Sequence, residues 1–156
     1  MHVEQLMTRS IKTCGPSDSL AQVASIMWDH DCGVVPVVDD EHRVLAMITD
    51  RDICMAAYTQ GRPLSEISVA SAASSNLYVT RPQESLRDAE ETMRIHKVRR
   101  LPVIDDHGRL VGLLSTNDLI RRAGHRTGDL GANEVARTLG AICQPNGSSA
   151  SEARVS

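Results

Sequence analysis

Thr49 and Asp52 stand three residues apart, and Ser115 and Asp118 repeat that spacing 66 residues later. They end the stretches Ala46-Met-Ile-Thr-Asp-Arg-Asp52 and Gly112-Leu-Leu-Ser-Thr-Asn-Asp118. A hydroxyl followed three residues on by a carboxylate, after an apolar run, is the pattern of a helix capping box. In that role both groups satisfy first-turn N–H groups that have no partner inside the helix. A second chemistry suits the same groups. A carboxylate at a helix start can take the paired hydroxyls of a ribose, and a hydroxyl with first-turn N–H groups can hold a phosphate. One such motif alone favours the cap, because most helix starts bind nothing. Two copies in matched context favour a ligand.

What must position these residues is a duplication. Residues 13–54 align with residues 79–120 without a gap, and 11 of the 42 pairs are identical, including Pro36/Pro102, Asp39/Asp105, Arg43/Arg109 and Asp52/Asp118. Each copy reads as β-α-β-β-α. The first strand is expected at Ile11–Cys14 and Leu77–Thr80, closed by Pro16 and Pro82. Ser19 and Ser85 are helix caps, and apolar residues at helical spacing follow them as far as His30 and His96. Short β-branched runs at Val34–Val38 and Leu101–Ile104, Asp-Asp turns, and runs at Arg43–Ile48 and Arg109–Leu114 give a hairpin. A second helix is expected at Asp50–Tyr58 and Thr116–Ala123. Pro36 and Pro102 require edge or irregular strands. The organisation is then repeat 1 over residues 1–62, repeat 2 over 63–124, and an extension over 125–156. In that extension Val135, Leu139 and Ile142 make one apolar helical stripe, and the tail from Gln144 reads as disordered.

These marks together resemble the CBS domain, a small module that occurs in pairs and binds adenosine derivatives. The resemblance rests on the G-h-h-[T/S]-x-x-D pattern, on Val35-Pro36-Val37 and Leu101-Pro102-Val103, and on the Asp-Asp turns; it covers Val3–Ala123. It implies an α+β fold of tandem CBS domains about a pseudo-two-fold axis, with clefts between the copies. It also implies that Asp52 and Asp118 take ribose hydroxyls and that Thr49 and Ser115 lie near the sugar-phosphate. Adenine would slot between Ile11, Thr13, Val35 and Pro36 in one copy, and Leu77, Val79, Leu101 and Pro102 in the other. A basic residue just before the hydrophobic-Pro step is implied to contact phosphate, which makes Arg99 and Arg100 the candidates. Copy one has Gly33 and Val34 at that step but carries Arg51 inside its motif, where copy two has Asn117, so Arg51 and Arg99/Arg100 serve either one shared ligand region or two unequal sites; the competing reading is a solvated face or pairing with Glu90 and Glu91. Copy one has Ala46 where copy two has Gly112, so the site of copy two is expected to be the stronger.

The function this implies is a non-catalytic regulatory sensor of AMP, ADP, ATP or another adenosyl compound, with no cofactor of its own. Such modules commonly pair through their helices into homodimers, and the regulated protein partner is open. The alternative is a stress-associated interaction protein with vestigial clefts, controlled by cysteine redox state or metal. Cys14 and Cys143 are the candidate disulfide, against two free thiols. The four cysteines have no C-x-x-C spacing, no catalytic residues and no metal ligands are assigned, and His30 and His96 suit helix C-termini. A net charge of −3, no Phe and one Trp argue against nucleic acid. With no signal pattern at the N-terminus and no long apolar run, the expected place is the cytoplasm, away from membranes.

Overall fold

The computed structural model describes residues 1–123 and 131–144. Copy one supplies α1 (Leu20–Asp29), β1 (Val34–Val38), β2 (Val44–Thr49) and α2 (Asp50–Gln60). After a short helix α3 (Val69–Ala72), copy two supplies α4 (Leu86–His96), β3 (Arg100–Ile104), β4 (Leu110–Ser115) and α5 (Thr116–Ala123); α6 is Ala132–Cys143. This is the expected α+β class with two similar halves. The predicted loop at His125–Gly131 and the tail from Gln144 lie almost wholly outside the described residues.

Local chemistry explains the elements. Ser19 Oγ accepts from Gln22 N–H and Ser85 Oγ from Asp88 N–H, so both serines cap as expected. In the hairpin turns Asp39 accepts from the N–H groups of Arg43 and Glu41, and Asp105 from those of Arg109 and His107. These bonds, that to residue 43 or 109 foremost, hold both carboxyls below the usual carboxylate range. Within a strand, one residue's N–H and C=O point to the same side. Pro36 and Pro102 turn that side outward from the hairpin, where only their carbonyls are needed, accepting from Cys14 and Thr80 N–H at 3.0 and 3.1 Å.

Those two contacts correct the expected first strands. Ile11–Cys14 and Leu77–Thr80 are not strands; each makes one parallel bridge, Cys14 to Val37 and Thr80 to Val103. The reason is that each segment is crossing from one half to the other. Thr8 bridges Leu113 in β4 before Cys14 reaches β1, and Ser74 bridges Met47 in β2 before Thr80 reaches β3. Arg43 and Arg109, equivalent positions, face each other in an antiparallel bridge. A residue can meet its own equivalent in this way only on the axis relating the copies. The pseudo-two-fold therefore runs through the hairpin ends.

Crossing also exchanges material between the halves. Val3 and Met7 are buried with Leu86, Met93, Leu101 and Leu114, whereas Ile67 and Val69 are buried with Leu20, Val23, Val35 and Ile48. Helix α6 lies on α4 and α5, burying Val135 and Ile142 in the second core, with Thr138 Oγ1 donating to the buried Glu90 carboxylate at 2.6 Å. Of the two readings of Cys14 and Cys143, the structure has the free thiols and not the candidate disulfide: Cys14 is buried in the first core and Cys143 is exposed at the end of a helix on the second. Cys54 is exposed on α2. Among the described residues no helix is long and apolar enough to cross a membrane.

Candidate functional site

Each crossing segment walls one cleft. The segment from Ser74 to Tyr78 passes over the start of α2, enclosing about 530 Å³ with Thr49, Asp50, Arg51, Asp52 and Lys97–Arg100. The segment from Thr8 to Lys12 passes over the start of α5, enclosing about 360 Å³ with Ser115, Asn117, Asp118, Arg121, His30 and Arg100. Both volumes lie within the range of small-ligand sites, about 300–1,000 Å³. We call them the Asp52 cleft and the Asp118 cleft.

At the floor of each, the capping box forms as its spacing requires. Thr49 N–H and Oγ1–H both donate to Asp52 Oδ2 at 2.8 Å, and Asp52 N–H returns to Thr49 Oγ1 at 3.1 Å. Ser115 N–H and Oγ–H donate to Asp118 Oδ2 at 2.9 and 2.6 Å, with Asp118 N–H returning at 3.3 Å. The cap uses one carboxylate oxygen and leaves the other. Here the copies part. Asp118 Oδ1 is held by Arg121 Nη2 at 3.3 Å, while Asp52 Oδ1 has no protein partner among the described residues. Met55 occupies the position equivalent to Arg121, which explains the difference.

The sequence leaves open whether Arg51 and Arg99/Arg100 serve one shared ligand region or two unequal sites. The structure brings all three to the Asp52 cleft, where Lys97 joins them. Only Arg100 also borders the Asp118 cleft, with Lys12 and the Asp118-bound Arg121. The cleft expected to be the weaker is thus the larger one, with four cationic side chains against Asp50 and Asp52.

The apolar candidates divide in the same way. Ile11 lines the Asp118 cleft, not that of its own copy's motif. Thr13, Val35, Pro36, Leu77, Val79, Leu101 and Pro102 line neither. Val35 and Leu101 are fully buried in the two cores, and their strand neighbours Val34 and Arg100 face the clefts instead. Tyr78, unassigned from sequence, walls the Asp52 cleft and stacks on His96 with ring centroids 3.8 Å apart. Its equivalent is Lys12, so the repeat could have flagged it as the one aromatic at a cleft-wall position. Among the described residues no three His, Cys, Asp or Glu side chains gather as metal ligands.

The CBS domain family model matches residues 3–58 and 66–125, the two copies with their leading segments. The chain belongs to the CBS domain family. It is 38% identical over 122 residues to the CBS domain-containing protein YhcV of Bacillus subtilis, covering 75% of this chain and 81% of that protein. It is similar to the crystal structure of Hypoxic Response Protein I with two coordinated zinc ions, with TM-score 0.71 and 29% identity, over 78% of this chain and 98% of that one. The CBS domain pair of protein MJ0100, in complex with 5-methylthioadenosine and S-adenosyl-L-methionine, shares the fold at TM-score 0.73 and 21% identity, over 81% and 98% of the two chains. The fold is therefore that of a CBS pair, a regulatory module.

Proposed function

We propose that this CBS pair is a non-catalytic sensor whose clefts bind an adenine nucleotide or another adenosyl compound, with the Asp52 cleft preferred for ligands that carry phosphate. One observation carries the reading: an unpartnered carboxylate oxygen, Asp52 Oδ1, faces the same cleft as Arg51, Lys97, Arg99 and Arg100. The carboxylate accepts the ribose hydroxyls, and the guanidinium groups take phosphate oxygens by charge-assisted hydrogen bonds. Tyr78, already stacked on His96, offers a flat face to a base. In the Asp118 cleft Arg121 must first release its carboxylate. That protein MJ0100 holds adenosyl ligands in this fold is consistent with the reading but concerns that protein.

The test is calorimetric titration of the full chain with AMP, ADP, ATP, NAD and S-adenosylmethionine. Asp52→Asn keeps an oxygen for the cap while removing the charge. It is expected to weaken AMP binding about 10- to 100-fold, the value of a hydrogen bond to a charged group, and Asp118→Asn to weaken the tight site far less. Equal affinity in all three proteins sinks the assignment.

The sensor reading extends to a homodimer through α1 and α2. In copy two, Arg87, Glu90, Glu91 and Arg94 face α6. The equivalent α1 positions are Ala21, Ala24, Ser25 and Trp28, with no such helix over them among the described residues, and Trp28 and Tyr58 are 87% and 82% exposed. Exposed aromatics beside small residues suit a second copy. Sedimentation is expected to give a dimer that Trp28→Glu with Tyr58→Glu converts to monomer; a wild-type monomer at working concentration refutes it.

A further inference from the structure

Val34 and Arg100 are equivalent residues, 66 positions apart, and among the described residues they alone line both clefts. They form the wall between the two sites, one on each side of the pseudo-two-fold axis. A symmetric wall would carry two charges or none, and this one carries a single guanidinium. Arg100 is half-buried, and its side chain has no hydrogen-bond or ion-pair partner among the described residues. An unpaired guanidinium held between two cavities is available to an anion from either side.

The remaining cations make the sharing unequal. Besides Arg100, the Asp52 cleft has Arg51, Lys97 and Arg99, while among the described residues the Asp118 cleft has only Lys12 that is not tied to a carboxylate. Phosphate in the Asp118 cleft thus depends on Arg100 far more than phosphate in the Asp52 cleft does. We infer that Arg100 is a binding residue common to both clefts, so that a phosphate-bearing ligand in one lowers the affinity of the other for a second, whereas ligands without phosphate fill the two independently. The inference rests on the proposal that the clefts take adenosyl ligands and adds how they regulate one another. Two anions that share one cation also repel each other across a thin wall, and both effects act in the same direction. The module then distinguishes ligands by charge: its doubly filled state is open to adenosine-like compounds and resisted by nucleotides.

Calorimetry on the full chain tests this with AMP and adenosine as probes. Asp118→Asn reports the Asp52 cleft and Asp52→Asn the Asp118 cleft. Independent sites require the wild-type isotherm to equal the sum of the two. For AMP, the second wild-type step is expected to be about tenfold weaker than the site seen in Asp52→Asn, a coupling of ordinary size. For adenosine the sum should hold. Arg100→Met, which keeps the stem of the side chain, should weaken AMP at both sites and restore additivity. Should Arg100→Met not fold, the AMP–adenosine contrast in the other three proteins decides. A wild-type AMP isotherm equal to the sum, or AMP bound by Asp118→Asn but not by Asp52→Asn, overturns the shared cation and leaves the sensor reading standing. No binding of either probe overturns both.

Discussion

Cys14 ends the segment that crosses from β4 to β1, and burial there, with the Asp18 carboxylate nearby, pushes its thiol up to about 12. The thiol is therefore protonated at neutral pH and a poor nucleophile, while Cys54 and Cys143 stand exposed. Alkylation at pH 8 followed by mass spectrometry is expected to label Cys54 and Cys143 in the native chain and to spare Cys14 until denaturant is added. Early labelling of Cys14 would contradict its placement. The same shift links stability to pH. The folded state holds this proton more tightly than the unfolded chain, so the stabilisation is complete below the ordinary thiol value of 9.0 and is lost as pH rises from there towards about 12. Wild type should lose more stability than Cys14→Ala across that interval. The charged residues at the clefts obey a similar local rule: Met55 in place of an arginine, not any change in the motif itself, leaves Asp52 Oδ1 open.

At the scale of elements, the two hairpins differ where the crossing segments touch them. A Cβ on Gly112 would lie 2.5 Å from Met7 Sδ and 3.1 Å from the Thr8 carbonyl oxygen. In the other half the equivalent residues are Ala46 and Ala73, a methyl gained on the strand and a long side chain lost from the segment. The crowding expected of Ala46 is thus answered at position 73. Gly112→Ala is expected to cost about 1–3 kcal/mol by overpacking. Met7→Ala with Gly112→Ala should recover part of that, because the sites couple. Urea denaturation of the two single variants and the pair measures it, and strict additivity would reject the compensation. This is also where the sequence stops being legible. Val34–Val38 and Thr116–Ala123 could be read to the residue because a β-branched run and a Ser cap are local signals. Ile11–Cys14 and Leu77–Thr80 have the same apolar look, but whether such a run joins its own hairpin or crosses to the other is decided by partners far along the chain. The same non-local choice sends Arg99 and Arg100 to the cleft of the other copy's motif.

For the whole molecule, the exchange of segments makes each half depend on the other. Val3 belongs to repeat 1 yet is fully buried in the core of copy two; Val69, its equivalent in repeat 2, is fully buried in the core of copy one. A half cut at the boundary between the sequence copies would lack the residue that closes its core and would expose the strand edge that Thr8 or Ser74 covers. Domains that merely sit side by side can unfold separately. Domains that each complete the other's core should unfold as one. Removing a buried valine side chain costs roughly 1.5–3 kcal/mol of apolar burial, so Val3→Ala and Val69→Ala should each lower the urea midpoint of a single transition while leaving its slope unchanged. The experiment discriminates because the two substitutions lie in different cores. If the halves were independent, each variant would produce two transitions, with only the half whose core it enters shifted, and labelling of Cys14, buried in the first core, would not respond to Val3→Ala. A shared midpoint by Cys14 labelling and by circular dichroism in both variants is the expected result. Such coupling would also let occupancy of a cleft, whose walls come from both halves, be felt across the entire module.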